Sequence, residues 1–188
     1  MSSKGRNSYA AHPDYAYDAE RHLKAQQTSQ GIANAAVSRA GSNEYAYDGR
    51  NGAFPPGTNK CNEAVEDWIE AGGAKRPRVP RGGLLGRLGF TRDLTAQEWG
   101  TISIPGWSAP DSVANARPGD VIAMAHKNEG GHVGIVLAPG LSVSADALLN
   151  PAGQVAVTNW GFRNAPDNGE NVGDGDRVVV RHYLGTTP

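Results

Sequence analysis

This chain of 188 residues has only one cysteine, no long apolar run and no large excess of one charge. Its single cysteine, Cys61, excludes an internal disulfide and any zinc or iron–sulfur site that needs several cysteines. No apolar run approaches the roughly 18 residues of a membrane-spanning helix, so we expect no membrane insertion. The formal net charge of −1 argues against a nucleic-acid partner, because dedicated nucleic-acid binders usually carry a large basic excess.

A secretory signal and a metal-binding motif are also missing. The first thirty residues contain no apolar stretch, so we expect synthesis in the cytoplasm without a signal peptide. Any action outside the cytoplasm then requires another delivery route. No His-Glu-x-x-His spacing occurs, which disfavours a metallopeptidase, and nothing in the sequence implies a metal ion or other cofactor.

Helix-forming segments occupy the first part of the chain. Residues 14–27 suit a short surface helix, and Ser29 can cap a second helix that ends at Gly41. A third helix begins near Cys61, where Thr58 or Asn59 can serve as its cap. We divide the chain into a polar N-terminal extension, residues 1–28 with its short helix, and a single domain, residues 29–188.

Strand-forming segments follow after position 118. Five short, β-branched segments are separated by Gly, Pro or Asn turns, a pattern typical of an antiparallel meander: DVIAMAH, HVGIVLA, LSVSADA, QVAVTNW and RVVVRHY. Because the helices precede the strands, the sequence predicts an α+β fold. We expect N-terminal helices packed on a C-terminal antiparallel sheet of about five strands.

Cys61 is the most informative residue for function. In the first turn of a helix, free N–H groups and the positive end of the helix dipole favour a thiolate over a thiol. The same N–H groups can hold an oxyanion after the thiolate attacks a carbonyl. The preceding PPGTN loop has no bulky side chain that would bury the sulfur. A lone cysteine is more often a small buried apolar residue, so a nucleophile hypothesis also needs a base.

Two histidines are candidates for that base. His132 opens a strand directly after a Gly-rich turn, which puts its imidazole at a sheet end that a helix N-terminus can approach. His126 ends the preceding strand and is the rival candidate. Either imidazole could instead be a hydrogen-bonded structural group.

A third polar residue usually orients the imidazole in such a pair. Ser142, Ser144 and Asp146 share one face of their predicted strand, because side chains alternate along a strand. Asp146 is chemically the better partner, since a carboxylate also stabilises imidazolium. Asn159 on the next strand is a further candidate, and the sequence does not choose among these residues.

These segments together resemble the NlpC-type and CHAP cysteine peptidases. GTNKCNEAVEDWIEAGG is similar to the helix that carries their nucleophile, and IANAAVSRAGSNEYAYDG is similar to the helix and aromatic–Gly motif upstream of it. ARPGDVIAMAHKNEGGHVGIVLAPG resembles their Pro-Gly-Asp strand followed by Gly-His-Val at the catalytic histidine. The resemblance extends from about Ser29 to Tyr183.

The resemblance implies a papain-like fold and assigns roles to matching residues. Cys61 would be the nucleophile and His132 the base. Ser144 occupies the position of the third residue, where the family more often has His, Asn or Asp. Tyr45 or Tyr47 matches the aromatic residue near the nucleophile and would contact substrate. The implied reaction is hydrolysis of an amide bond in bacterial peptidoglycan stem peptides, without a cofactor.

The lack of a signal and of wall-binding repeats also resembles the amidase effectors of type VI secretion systems. Those effectors are injected into a rival's periplasm and are paired with an immunity protein. On this resemblance we expect an antibacterial toxin that acts in the periplasm of a target cell, with a cognate immunity protein as partner. A phage-type endolysin of the same chemistry and a non-catalytic cell-wall-binding module are the alternatives.

A basic segment completes the sequence features. Six cations lie between Lys75 and Arg92, and no acidic residue occurs from Ala71 to Arg92. Such a segment is usually solvated surface, but it could also attract an anionic polymer such as peptidoglycan, whose stem peptides carry free carboxylates. The glutamates of the chain show no paired arrangement that would indicate a glycosidase.

Overall fold

The computed structural model describes residues 13–52, 54–125, 131–146, 153–159 and 177–185. The helices in these ranges are α1 (Pro13–Val37), α2 (Cys61–Ala71), α3 (Gly83–Arg87) and α4 (Ala96–Thr101). The strands are β1 (Val79–Pro80), β2 (Thr91–Arg92), β3 (Val121–Ala125), β4 (His132–Ala138), β5 (Leu141–Asp146), β6 (Gln154–Asn159) and β7 (Arg177–Arg181).

The main sheet has five antiparallel strands in the order β6-β5-β4-β3-β7, which confirms the predicted α+β fold. Strands β3 to β6 form a meander. The expectation that the last strand continues the meander is wrong, because β7 pairs with β3 at the opposite edge. This pairing satisfies the backbone groups of β3 and buries Val179 and Val180 of β7.

One face of the sheet carries the helices. Side chains of α1, α2 and α4 form a single buried cluster with residues that alternate along the strands, including Val121, Val133, Ile135, Val143 and Ala145. On the other face, Ile122, Met124, Val136 and Val180 form a smaller cluster with Ala116. Helix α2 packs directly on β4 and β5, the strands that carry His132 and Ser144.

Helix α1 replaces the two separate helices that we predicted. Ser29, the expected cap, lies inside this continuous helix, which also crosses the predicted boundary between residues 28 and 29. Burial of Ala25, Ile32 and Ala36 on one side of α1 explains the difference, because packing along the whole helix outweighs a local cap signal. No helix in the described ranges is long and apolar enough to cross a membrane.

The Pro-Gly-Asp turn before β3 lies directly against α1. Gly119 has a φ of 85°, and a Cβ atom at this position would lie 1.9 Å from the carbonyl oxygen of Ser29. Only glycine combines this backbone conformation with such a close approach. The turn therefore seats α1 on the end of the sheet.

Candidate functional site

Helix α2 begins at the predicted position, but the hydrogen bonds at its first residues differ from the prediction. Cys61 is the first residue of α2, and its N–H donates to Oδ1 of Asn59 at 3.2 Å. The N-cap residue is Lys60, whose side chain makes no cap hydrogen bond, so the expectation of Thr58 or Asn59 as the cap is wrong. The Thr58 hydroxyl donates instead to the carbonyl of Pro55. The N–H of Cys61 is therefore engaged, so a substrate oxyanion could use it only by displacing Asn59.

Cys61 is buried, with 3% of its surface exposed. The expectation that a loop of small residues leaves the sulfur accessible is wrong. The loop is instead held down by Lys60, whose ammonium group donates to the carbonyls of Ala46 (2.9 Å), Tyr47 (3.2 Å) and Thr58 (3.2 Å). These bonds tie the start of α2 to Ala46 and Tyr47 and to the loop directly before Cys61.

Lys60 is a residue that the sequence reasoning missed. Its side chain is almost fully buried, and burial lowers the pKa of its ammonium group, an effect that the Asp48 carboxylate opposes. Three carbonyl acceptors compensate for the loss of water around this charge. A lysine next to the predicted nucleophile carries no pattern that reveals such a role, because two of its three partners are backbone carbonyls of an earlier loop, at Ala46 and Tyr47.

The structure brings His132 and Ser144 together. Nε2 of His132, the first residue of β4, lies 3.1 Å from the hydroxyl oxygen of Ser144 on β5. Both residues are buried, at 1% and 2% exposure. A serine hydroxyl can accept from or donate to an imidazole nitrogen, so this contact fixes the orientation of the ring in either tautomer. Because Nε2 contacts the Ser144 hydroxyl, any proton transfer between His132 and a substrate or thiol would use Nδ1.

The strand register places this pair relative to α2. His132 is opposite Met124 on β3, so the His132 imidazole shares the face of Met124 and Ser144. The next residue, Val133, belongs to the buried cluster that contains Cys61.

The other candidates for the orienting residue and base have different positions. Asp146 is the last residue of β5, and its side chain is largely buried. Asn159 ends β6, but its side chain lies outside the part of the chain that the structure describes. His126, the rival base, also lies outside the described residues.

Ser144→Ala tests the observed contact. Loss of one neutral hydrogen bond costs about 1 kcal/mol, so we expect a several-fold decrease in the turnover of any reaction that uses His132. Initial rates on purified peptidoglycan would measure the effect, with Asp146→Asn as the comparison. A much larger loss in Asp146→Asn than in Ser144→Ala would assign the orienting role to Asp146.

The two candidate aromatic residues lie in different environments. Tyr45 is a core residue whose hydroxyl donates to Asp67 at 3.0 Å and whose ring packs edge-on against Trp68. Burial, with the nearby Asp67 carboxylate, raises the pKa of Tyr45 above its ordinary value. Tyr47 is partly exposed, and its carbonyl accepts a hydrogen bond from Lys60. Of the two tyrosines, only Tyr47 is accessible to a substrate.

The basic segment is not a free cationic loop. Arg76 lies in a cluster of five carboxylates, four of them on α2: Glu63 (3.6 Å), Glu66 (3.7 Å), Glu70 (3.7 Å), Asp93 (3.6 Å) and Asp67, which accepts a hydrogen bond from the guanidinium. Arg78 pairs with Asp93 at 3.1 Å, and Arg92 with Glu98 at 2.6 Å. The expectation of solvated cations that attract a polymer is therefore wrong for these arginines.

Three carboxylates of this cluster are close enough to hold a cation: Glu63, Glu66 and Asp93. The Arg76 guanidinium already supplies positive charge to all three. Burial raises the pKa of Glu66 to about 9, and the nearby Asp93 carboxylate adds to the effect. Glu66 still accepts a hydrogen bond from the N–H of Leu94 at 2.9 Å, which ties α2 to the segment before α4.

Glu66→Gln tests the protonation of this buried carboxyl. The folded pKa lies above that of an ordinary glutamate, so the folded state binds a proton between about pH 5 and 9 that the unfolded state has lost. The free energy of unfolding should therefore fall as pH rises through this range, by at most about 1.4 kcal/mol per pH unit from this group. Urea unfolding at several pH values should show a flatter dependence in Glu66→Gln. Parallel curves for the two proteins would contradict the assignment.

A second histidine, His182, contacts two aspartates away from Cys61 and His132. Nδ1 of His182 lies 2.8 Å from the Asp120 carboxylate, and Nε2 lies 3.1 Å from that of Asp111. Asp120 is the acid of the Pro-Gly-Asp turn and also accepts from the N–H of Arg117. This arrangement ties the residue after β7 to the loop before β3.

The sequence comparisons do not assign the chain to a family. No protein-family model matches the chain, and no curated protein matches it. The site is therefore defined by its own residues. They comprise the thiol of Cys61 at the start of α2 and the buried imidazole of His132, which the Ser144 hydroxyl orients. The third group is the buried ammonium of Lys60, which binds three backbone carbonyls.

Proposed function

We propose that the chain is a cysteine hydrolase that cleaves an amide bond in bacterial peptidoglycan stem peptides. The observation that supports this most directly is the contact of His132 with Ser144. These residues occupy the two positions that the resemblance to NlpC-type and CHAP peptidases assigns to the base and the third residue. An oriented imidazole is what a general base requires.

In this proposal Cys61 attacks the carbonyl carbon of the scissile amide. His132 accepts the thiol proton through Nδ1 and later donates a proton to the leaving amine. Water then attacks the acyl-enzyme, and His132 accepts its proton as the thiol is released. Ser144 keeps the imidazole oriented through both steps. No metal ion or other cofactor takes part.

The proposal makes two structural demands. The loop before Cys61 has to open or shift for substrate to reach the buried sulfur, and Lys60 is the side chain that holds this loop. The imidazole also has to meet the thiol at the end of β4, where His132 is the first residue. The loop movement is confined to a segment without regular secondary structure, where rearrangement is least costly.

We further propose that the hydrolase is an antibacterial toxin, delivered to the periplasm of a target cell by type VI secretion and neutralised by a cognate immunity protein. This part rests on the resemblance stated above. A phage-type endolysin would use the same chemistry and is the second candidate. Inhibition by a protein encoded beside the gene would favour the toxin.

His132→Ala tests the chemistry with a matched control. Loss of general base catalysis alone costs about 10²–10⁴-fold, so we expect at least this decrease in the digestion of purified sacculi. His22→Ala is the control, because His22 is exposed on α1 and should retain full activity. Mass spectrometry of the released muropeptides identifies the bond that is cut. Full digestion by His132→Ala would refute the assignment of His132 as the base.

A further inference from the structure

Four large apolar side chains project into solvent from the segment between β1 and β2. Leu84 is 71% exposed, Leu85 47%, Leu88 64% and Phe90 56%, and α3 buries none of its residues. We call these four residues the apolar knob. Single exposed apolar residues are common on protein surfaces, but a contiguous group of this size marks an interaction site.

The apolar knob is an ordered structure. Its base is the antiparallel pair β1 and β2, where the N–H of Arg81 donates to the carbonyl of Phe90 at 2.9 Å. The N–H of Phe90 in turn donates to the carbonyl of Leu85 at 3.1 Å. The backbone of Gly86 packs against that of Arg81, and a Cβ atom at Gly86 would lie 1.8 Å from the Arg81 carbonyl oxygen. A surface already held in one conformation loses little entropy on binding.

The charges around the apolar knob indicate the kind of partner. Arg81 precedes the knob and Arg87 lies between Leu85 and Leu88. Both arginines are exposed, and they form no ion pair with any residue that the structure describes. The carboxylate cluster around Arg76 lies at the base of the same hairpin, where Asp93 follows β2 directly. An anionic bilayer would meet these acids as well as the two arginines. Pairing with a second copy would bring like-charged arginines together.

We propose that the apolar knob docks into an apolar groove of a partner protein whose rim carries Asp and Glu side chains. The four apolar residues fill the groove, while Arg81 and Arg87 pair with the acidic rim. Burial of the apolar side chains supplies the affinity, and the rim charges supply the orientation and selectivity. The proposal is independent of the chemistry at Cys61.

A pair of helical peptides can test this proposal on the full chain. One peptide is a two-helix hairpin whose leucines line a groove with glutamates on its rim, and the other has lysines in place of the glutamates. We expect fluorescence anisotropy to show about tenfold tighter binding of the acidic peptide. Leu84→Ser with Leu88→Ser should abolish this binding. Arg81→Glu with Arg87→Glu should reverse the preference in favour of the basic peptide.

Two control variants show whether the peptide binds at the apolar knob. Leu23→Ser removes a leucine that is 55% exposed on α1, outside the knob, and should leave peptide binding unchanged. Cys61→Ser should also bind normally, so the failure of hydrolysis and the failure of docking are distinguishable. Equal affinity for the two peptides, flotation of the chain with anionic vesicles, or a dimer that Leu84→Ser dissociates would each overturn the proposal.

Discussion

Replacing Cys61 with Ala should abolish the digestion of purified sacculi, with a decrease on the order of 10⁶-fold in turnover. The alanine side chain has no nucleophile, so the acyl-enzyme cannot form. The expected signature is complete loss of the muropeptide products in mass spectrometry. Production of the wild-type chain in the periplasm should also lyse the host, and production of Cys61→Ala should not.

The interpretation of this result depends on the fold of the variant. Cys61 lies in the buried cluster with Val133, so its removal leaves a small void and should cost about 1–2 kcal/mol of stability. Urea unfolding and circular dichroism would show that Cys61→Ala is still folded. Sacculus digestion by the folded variant would end the cysteine-hydrolase proposal.

Replacing Arg181 with Ala should lower the free energy of unfolding by about 3–5 kcal/mol. Arg181 is fully buried on β7, and its guanidinium donates to the carbonyls of Trp99, Ile102 and Ser108. Two of these carbonyls belong to α4 and its C-terminal cap. Removal of the side chain leaves the carbonyls buried without their donor and creates a cavity as well.

The size of the effect can be checked against two further variants. Arg87→Ala changes an exposed arginine and should alter the stability by less than about 0.5 kcal/mol. Arg181→Lys should recover part of the loss, because one ammonium group cannot reach all three carbonyls in the geometry of a guanidinium. If Arg181→Ala unfolds at the same urea concentration as the wild type, the guanidinium does not hold α4 in place.

The secondary structure of the site region follows closely from local patterns. The apolar stripe Ala64, Val65, Trp68 and Ile69 and the following glycines predict α2, and the structure places the helix at Cys61–Ala71. Short β-branched segments between turns likewise predict β3 to β7. These predictions succeed because periodicity and turn residues act over a few neighbouring positions.

Long-range pairing is where local reasoning failed. No acidic residue occurs from Ala71 to Arg92, so the sequence indicates a free basic segment. In the folded chain Arg76 meets carboxylates that belong to α2 and to Asp93. The burial of Cys61 was not predicted for a similar reason. Lys60 fixes the loop before Cys61 by binding backbone carbonyls, and no sequence pattern reveals such contacts.

The sequence by itself determined the class of the fold and the positions of Cys61, His132 and Ser144 on a helix start and two strands. It could do so because hydrophobic period and turn chemistry are local properties of the chain. Only the tertiary structure decided that Ser144 contacts His132, that Lys60 ties the start of α2 to Ala46 and Tyr47, and that Arg181 is buried against α4. Each of these contacts joins residues whose approach depends on packing and strand register, and neither property is encoded in a short window of sequence.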